Sequence, residues 1–198
     1  MRNSYNLAAE RSVDVTDTPH SLVVNYNYEL PFGAGKLLGS GWSRPMNAIL
    51  GGWQWSGILT AKSGLPLSIN PATNNTGGFG FNQRPNLVAG VNPVPQNQSI
   101  TDWINPAAFT QPAAYTFGDA PRFLSNLRAP KFFDYDMGIG KWWGLGELRR
   151  LQLRVEMFNV FNHPSFFEPD TNLGDSNFGT ITAAYPARSV QFGGKFYW

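Results

Sequence analysis

Arg150-Leu151-Gln152-Leu153-Arg154-Val155-Glu156-Met157 is the stretch that decides the fold. Its odd positions are all apolar, and its even positions are all polar or charged. A side-chain period of two belongs to a β-strand with one face in an apolar medium and the other in water. Leu145 to Asn162 is long enough for a helix, but no stripe at i, i+3, i+4 competes with this alternation. The same period recurs outward along the chain. Leu22, Val24, Tyr26, Tyr28 and Leu30 oppose Ser21, Asn25, Asn27 and Glu29; Trp53, Trp55, Gly57 and Leu59 oppose Gln54, Ser56 and Thr60. Phe133, Tyr135, Met137 and Ile139 oppose Asp134, Asp136 and Gly138; Val190, Phe192, Phe196 and Trp198 oppose Ser189, Gln191 and Lys195. The pattern predicts strands near 20–30, 50–62, 131–142, 148–162 and 187–198, and no helix.

The connections are very unequal. Trp143–Arg149 is a short Gly-containing turn, and Pro31–Pro45 is a moderate one with four glycines. Ser63–Pro130 and His163–Ala187 are long and rich in Pro, Asn and Gly. A compact soluble domain rarely carries a structureless loop of the first length. Transmembrane β-barrels do, with strands of about 9–11 residues, short periplasmic turns and long extracellular loops. If the chain ends in the periplasm, alternating strand direction puts both long connections outside and both short ones in the periplasm. The predicted fold class is therefore all-β: an antiparallel sheet forming part of a transmembrane β-barrel, about five long strands with long extracellular loops. Five strands cannot close such a barrel, so two edges stay open.

Composition narrows the function. Only 14% of the 198 residues are charged, against roughly 25% in an average soluble domain, while 15% are aromatic. A net charge of +2 is too small to argue for nucleic acid. The absence of Cys removes disulfide frameworks, thiolate metal sites and Cys nucleophiles. No apolar run reaches the length of a transmembrane helix, and Met1–Glu10 lacks the pattern of a signal peptide.

Motifs with chemical potential mostly fail on detail. His20 and His163 sit at opposite strand and loop ends, without the companions of a triad or a metal site. Gly33-Ala34-Gly35-Lys36 lacks both the spacing and the Ser or Thr of a phosphate loop, and reads as a tight turn. Asp134 with Asp136, and Arg154 with Glu156, lie two apart and share one strand face. Paired carboxylates suit acid–base work or a hard cation. Charges lining a water-filled lumen, with Arg150 and Arg154 compensating the aspartates from the next strand, suit this pattern better. Trp53, Trp55, Trp142, Trp143, Phe196 and Trp198 read as an interfacial girdle on the apolar face, ahead of a sugar-stacking role. No catalytic residue, metal ligand or cofactor is predicted.

Several stretches carry a family resemblance: Tyr28–Gly33, Gly52–Gly57 followed by Lys62–Pro66, Ile104–Phe109, Glu156–Phe166 and Arg188–Trp198. In this order they resemble the C-terminal part of the β-barrel of TonB-dependent outer-membrane transporters of the Oar-like branch, over about residues 17–198. Such barrels have about 22 strands, so the resemblance implies that 1–198 is a C-terminal fragment without plug domain or signal peptide. It further implies the outer membrane of a Gram-negative bacterium and a part in energised uptake of a ligand, with no enzymatic activity. The partners would be outer-membrane lipid, the remaining barrel and plug, TonB and the barrel-assembly machinery. Asn74, Asn75, Phe79, Phe81 and Trp103, in the long segment assigned outside the cell, become candidate ligand contacts. Val190, Phe192, Phe196 and Trp198 match the family's C-terminal assembly signal, with Trp where Phe is more usual. The alternative is a soluble β-sandwich carbohydrate-binding module. In a sandwich the apolar faces converge on one core, whereas in a barrel they form one outward band.

Overall fold

The computed structural model describes residues 5–77, 83–146 and 148–198. The chain divides into two compact units. One combines Ser21–Lys62, Phe133–Pro164 and Pro186–Trp198; the other combines Met1–His20, Ser63–Phe132 and Ser165–Tyr185.

The first unit is built on the predicted sheet. Among the described residues nine strands form: β1 (Ser21–Glu29), β2 (Trp53–Lys62), β3 (Pro66–Leu67), β4 (Asn86–Leu87), β5 (Phe109–Thr110), β6 (Leu124–Arg128), β7 (Phe132–Gly144), β8 (Arg150–Phe158) and β9 (Ser189–Tyr197). The long ones order as β1-β2-β7-β8-β9, leaving β1 and β9 as edges. The register keeps the two faces apart. Val24 faces Leu59 and Tyr28 faces Trp55; Ile139 faces Val155; Val155, Leu151 and Met157 face Phe192, Phe196 and Val190. A slip of one residue would invert every one of these pairs, so the alternation itself specifies the register. The apolar face is uncovered over much of its extent: Phe192 is 82% exposed, and Leu22, Val24 and Leu153 are exposed as well. Among the described residues no helix is long and apolar enough to cross a membrane, a statement that does not bear on strands.

Three details depart from the sequence reading. First, a helix, α1, spans Arg44–Leu50 with Pro45 in its first turn, so β2 begins at Trp53 rather than near residue 50. Gly33 and Gly51 let the ends of this excursion meet. A Cβ on Gly51 would lie 2.9 Å from the Gly33 Cα and 2.3 Å from the Asn47 Oδ1. Second, β8 stops at Phe158 because Asn159 turns left-handed, with φ of 50°. Third, Trp142 lies on the polar face opposite Gln152, with its ring against Tyr197 at 5.5 Å, so it leaves the apolar girdle.

The second unit holds the buried core. Leu67, Ile69, Ile104, Ala108, Phe109, Leu124 and Leu127 cluster, flanked by Leu87, Val91, Val94, Trp103, Leu173 and Phe178. Two short antiparallel pairs, β3 with β6 and β4 with β5, organise it. The segment between residues 63 and 130 is thus mostly irregular backbone around a core of its own, not an open loop. Its polar backbone is tied internally, for example Val88 N–H to Ala108 O at 2.9 Å and Trp103 N–H to Gly179 O at 2.8 Å.

Candidate functional site

On the polar face of the sheet, β8 is the central element. Arg154 lies between two glycines, Gly140 on β7 and Gly193 on β9. Its side chain lies over Gly193, where a Cβ would come within 3.2 Å of the Arg154 Cγ. Gln152, Arg154, Gly193, Gly194 and Lys195 line a shallow trough of about 210 Å³. Arg154 Nε sits 3.5 Å from Glu156 Oε1, a partly exposed pair worth little stability in water. Gln191 Nε2 donates to the other carboxylate oxygen of Glu156. Lys195 Nζ stands 4.8 Å from the Tyr197 ring centroid. The trough thus offers two cations, an amide and exposed backbone at a glycine pair. It can hold a hydrated polar or anionic solute.

The expected neutralisation of the aspartates by the arginines does not form. Arg154 pairs in register with Gly140, and Arg150 with Gly144, at the far end of β7 from Asp136. Four residues of strand, about 13 Å, separate the Asp136 row from the Arg154 row. Asp136 instead accepts the Asn159 N–H at 3.0 Å. Asp134 shares its face, two residues away. Among the described residues no three His, Asp or Glu side chains converge as a metal-holding group would.

Asp136 therefore belongs to a corner that closes β8. Asn159 Oδ1 accepts the His163 N–H at 2.9 Å, and its Nδ2 donates to His163 O and Pro186 O at 3.1 and 3.3 Å. Asn162, also left-handed, accepts the Arg188 N–H at 3.1 Å, and Arg188 Nη1 reaches Val160 O at 3.4 Å. Asn is the non-glycine residue best suited to this conformation. The His163 ring packs edge-on to Phe133 at 5.4 Å.

In the second unit the candidate ligand contacts serve the fold. Asn74 Oδ1 accepts the Thr76 N–H and hydroxyl at 3.0 and 2.6 Å. Asn75 Nδ2 donates to Pro112 O at 2.8 Å, tying two segments together. Trp103 Nε1 donates to Arg128 O at 2.8 Å, and its ring packs on the core. Phe79 and Phe81 lie outside the described residues. Unforeseen were Arg84, which is buried and meets Glu10 at 2.5 Å, and Arg128, which meets Asp17 at 2.5 Å. Each also donates to a backbone carbonyl of the same N-terminal segment, Ala9 O or Asp17 O. Nothing local announces such pairs, since the partners lie 74 and 111 residues apart.

At the C-terminus, Val190, Phe192, Phe196 and Trp198 share the apolar face of an edge strand, with the Phe196 and Trp198 rings stacked at 6.1 Å.

Over residues 1–191 the chain matches the family model described as an outer membrane beta barrel domain. The chain belongs to that family. No curated protein and no solved structure matches it. Membership places this outer-membrane barrel protein in the outer membrane of Gram-negative bacteria. It also accounts for a long apolar sheet face with little covering it. The sandwich alternative needs a second sheet packed on that face, and the family assigns a barrel instead. Among the features the sequence reading missed, the Asn159–Asn162 corner does have a sequence signal: two Asn three apart, directly before His163-Pro164, where alternation ends.

Proposed function

We propose that this chain supplies C-terminal wall strands and a folded surface unit to a TonB-dependent outer-membrane transporter of the Oar-like branch, working in energised uptake of a ligand. The observation that carries the proposal is the sheet itself: five antiparallel strands with a long apolar face and two open edges, β1 and β9. Open edges of that length call for further strands of the same barrel. The ordered motifs from Tyr28 to Trp198 support the TonB-dependent type.

In this reading the apolar face meets lipid. The polar face, with Asp134, Asp136, Arg150, Arg154 and Glu156, lines the lumen, and the trough beside Arg154 is a way-station for a polar solute. The surface unit contacts ligand through groups its own fold leaves unused, while Asn75 and Trp103 hold it in shape. The role is non-catalytic, with no metal, organic cofactor or nucleic acid. The partners are the rest of the barrel, a plug, TonB, and the assembly machinery that reads the C-terminal strand.

Two measurements test this. The coding DNA upstream of Met1 should contain, in frame, a plug domain and a TonB-contacting segment. The purified gene product should then bind the periplasmic domain of TonB in a pull-down. An inserted, heat-modifiable barrel that lacks the plug and does not bind TonB would remove the TonB-dependent reading and leave an outer-membrane barrel of another kind.

A further inference from the structure

Lys141 breaks the apolar row of β7. It falls in register between Ile139 and Trp143, opposite Leu153, where the barrel pattern calls for an apolar residue. Yet it is only 3% exposed. What covers it is α1. Lys141 Nζ donates to Asn47 O at 3.2 Å and to Gly51 O. Two indoles from the same sheet face join it: Trp53 Nε1 donates to Ile49 O at 2.9 Å, and Trp143 Nε1 to Ala48 O at 2.6 Å. The ammonium lies 5.7 and 5.1 Å from the centroids of these rings.

The Ala48 and Ile49 carbonyls of a seven-residue helix and the carbonyl of its C-cap Gly51 are thus capped by side chains of the sheet, while Asn47 O also accepts the Gly51 N–H. In water the last carbonyls of a helix need no such partners, because solvent satisfies them. In a medium without water each orphan is costly, and a cation at the negative end of the helix is favoured. The outward side of the excursion points the same way. Ile49 is 66% exposed and Leu37 91%, with Leu38, Met46 and Leu50 also exposed. Arg44, exposed at the start of the helix, suits a phosphate. All three capping side chains stand on the apolar face of the sheet, so α1 lies on that side of it.

We propose that α1 and the preceding turn form a lipid-interface anchor. Leu37, Leu38, Met46, Ile49 and Leu50 insert among phospholipid acyl chains at the turn end of the barrel wall. Lys141, Trp53 and Trp143 clamp the helix end so that no bare carbonyl or ammonium faces lipid. The inference rests on the apolar face meeting lipid and is independent of TonB.

Residues 1–198 contain no Cys, so a single label here is specific once any Cys elsewhere in the gene product is replaced by Ser. Ile49→Cys and Met46→Cys, each carrying an environment-sensitive fluorophore, are placed in the gene product containing this chain. It is reconstituted in phosphatidylethanolamine–phosphatidylglycerol vesicles with doxyl-labelled lipid. Asn97→Cys, exposed in the other unit, marks water, and Phe192→Cys marks the wall. The expected result is blue-shifted emission at 46 and 49, quenched by shallow doxyl lipid and shielded from iodide, with the opposite at 97. Iodide quenching at 46 and 49 equal to that at 97, with Phe192→Cys still quenched by doxyl lipid, would overturn the anchor alone. Loss of doxyl quenching at 192 as well would overturn the lipid-facing wall with it.

Discussion

Leu127→Ala tests whether the segment between residues 63 and 130 is a packed unit or a covering loop. Leu127 is fully buried on β6, in the cluster with Leu67, Ile69, Ile104 and Phe109. The substitution removes roughly three carbon groups, or about 2.4 kcal/mol of transfer free energy at about 0.8 per group. With the cavity included, and depending on how far the site relaxes, losses for such truncations run about 2–5 kcal/mol. If this unit opens as a whole, that loss multiplies its open population by about 30-fold at the lower bound, and surface proteolysis follows that population when reclosing is fast. The assay is protease cleavage on intact cells, with heat-modifiability on gels reporting the wall. Leu153→Ala is the control. Leu153 is on the sheet face read as lipid-facing and is 44% exposed, so truncation there leaves no closed cavity and should change cleavage little. Cleavage of Leu127→Ala within about threefold of the parent, far below the 30-fold lower bound, would refute the reasoning and return the segment to an open loop.

Asn159→Ala should lower the thermal unfolding midpoint of the inserted protein. It loses the bonds to His163 and Pro186 and strains a left-handed residue, together about 2–4 kcal/mol. Asn159→Gly loses the same bonds without the strain and should fall less; equal losses would exclude the backbone contribution. Trp198 is 89% exposed and stacks on Phe196, so Trp198→Ser should cost folding at most about 1.5 kcal/mol. A large fall in outer-membrane insertion for Trp198→Ser, with Trp198→Phe tolerated, is nevertheless expected under the proposal that an assembly machine reads the terminal aromatic. Near-normal insertion of the Ser variant would reduce Trp198 to an anchor.

The strands were legible because one physical demand, an apolar medium on one side and water on the other, is written at a period of two. β1, β2, β7, β8 and β9 all lie within a few residues of their expected bounds. The second unit was not legible, for an equally physical reason. Leu67, Ile69, Ile104, Phe109, Leu124 and Leu127 reach one core from strands of two to five residues and irregular backbone. No period links them, and turn chemistry rich in Pro, Asn and Gly looks the same whether or not a core lies beneath it. The arginine pairs with Glu10 and Asp17 share that invisibility.

The helix is a different kind of omission. Seven residues starting Arg44-Pro45 are too few to show a helical stripe, and far too few to be stable alone. Their helicity depends on groups almost a hundred residues later, Trp143 and Lys141. The trace of that dependence was nevertheless in the sequence. Phe133, Tyr135, Met137 and Ile139 keep strict alternation, and the next position on that face is a lysine. A charge in an apolar row is a local conflict, and a folded chain keeps such a conflict where another element resolves it. Lys141 therefore implied a polar partner over the apolar face before any helix was visible. The partner is the end of α1, and the lipid boundary is the surrounding in which that arrangement is needed.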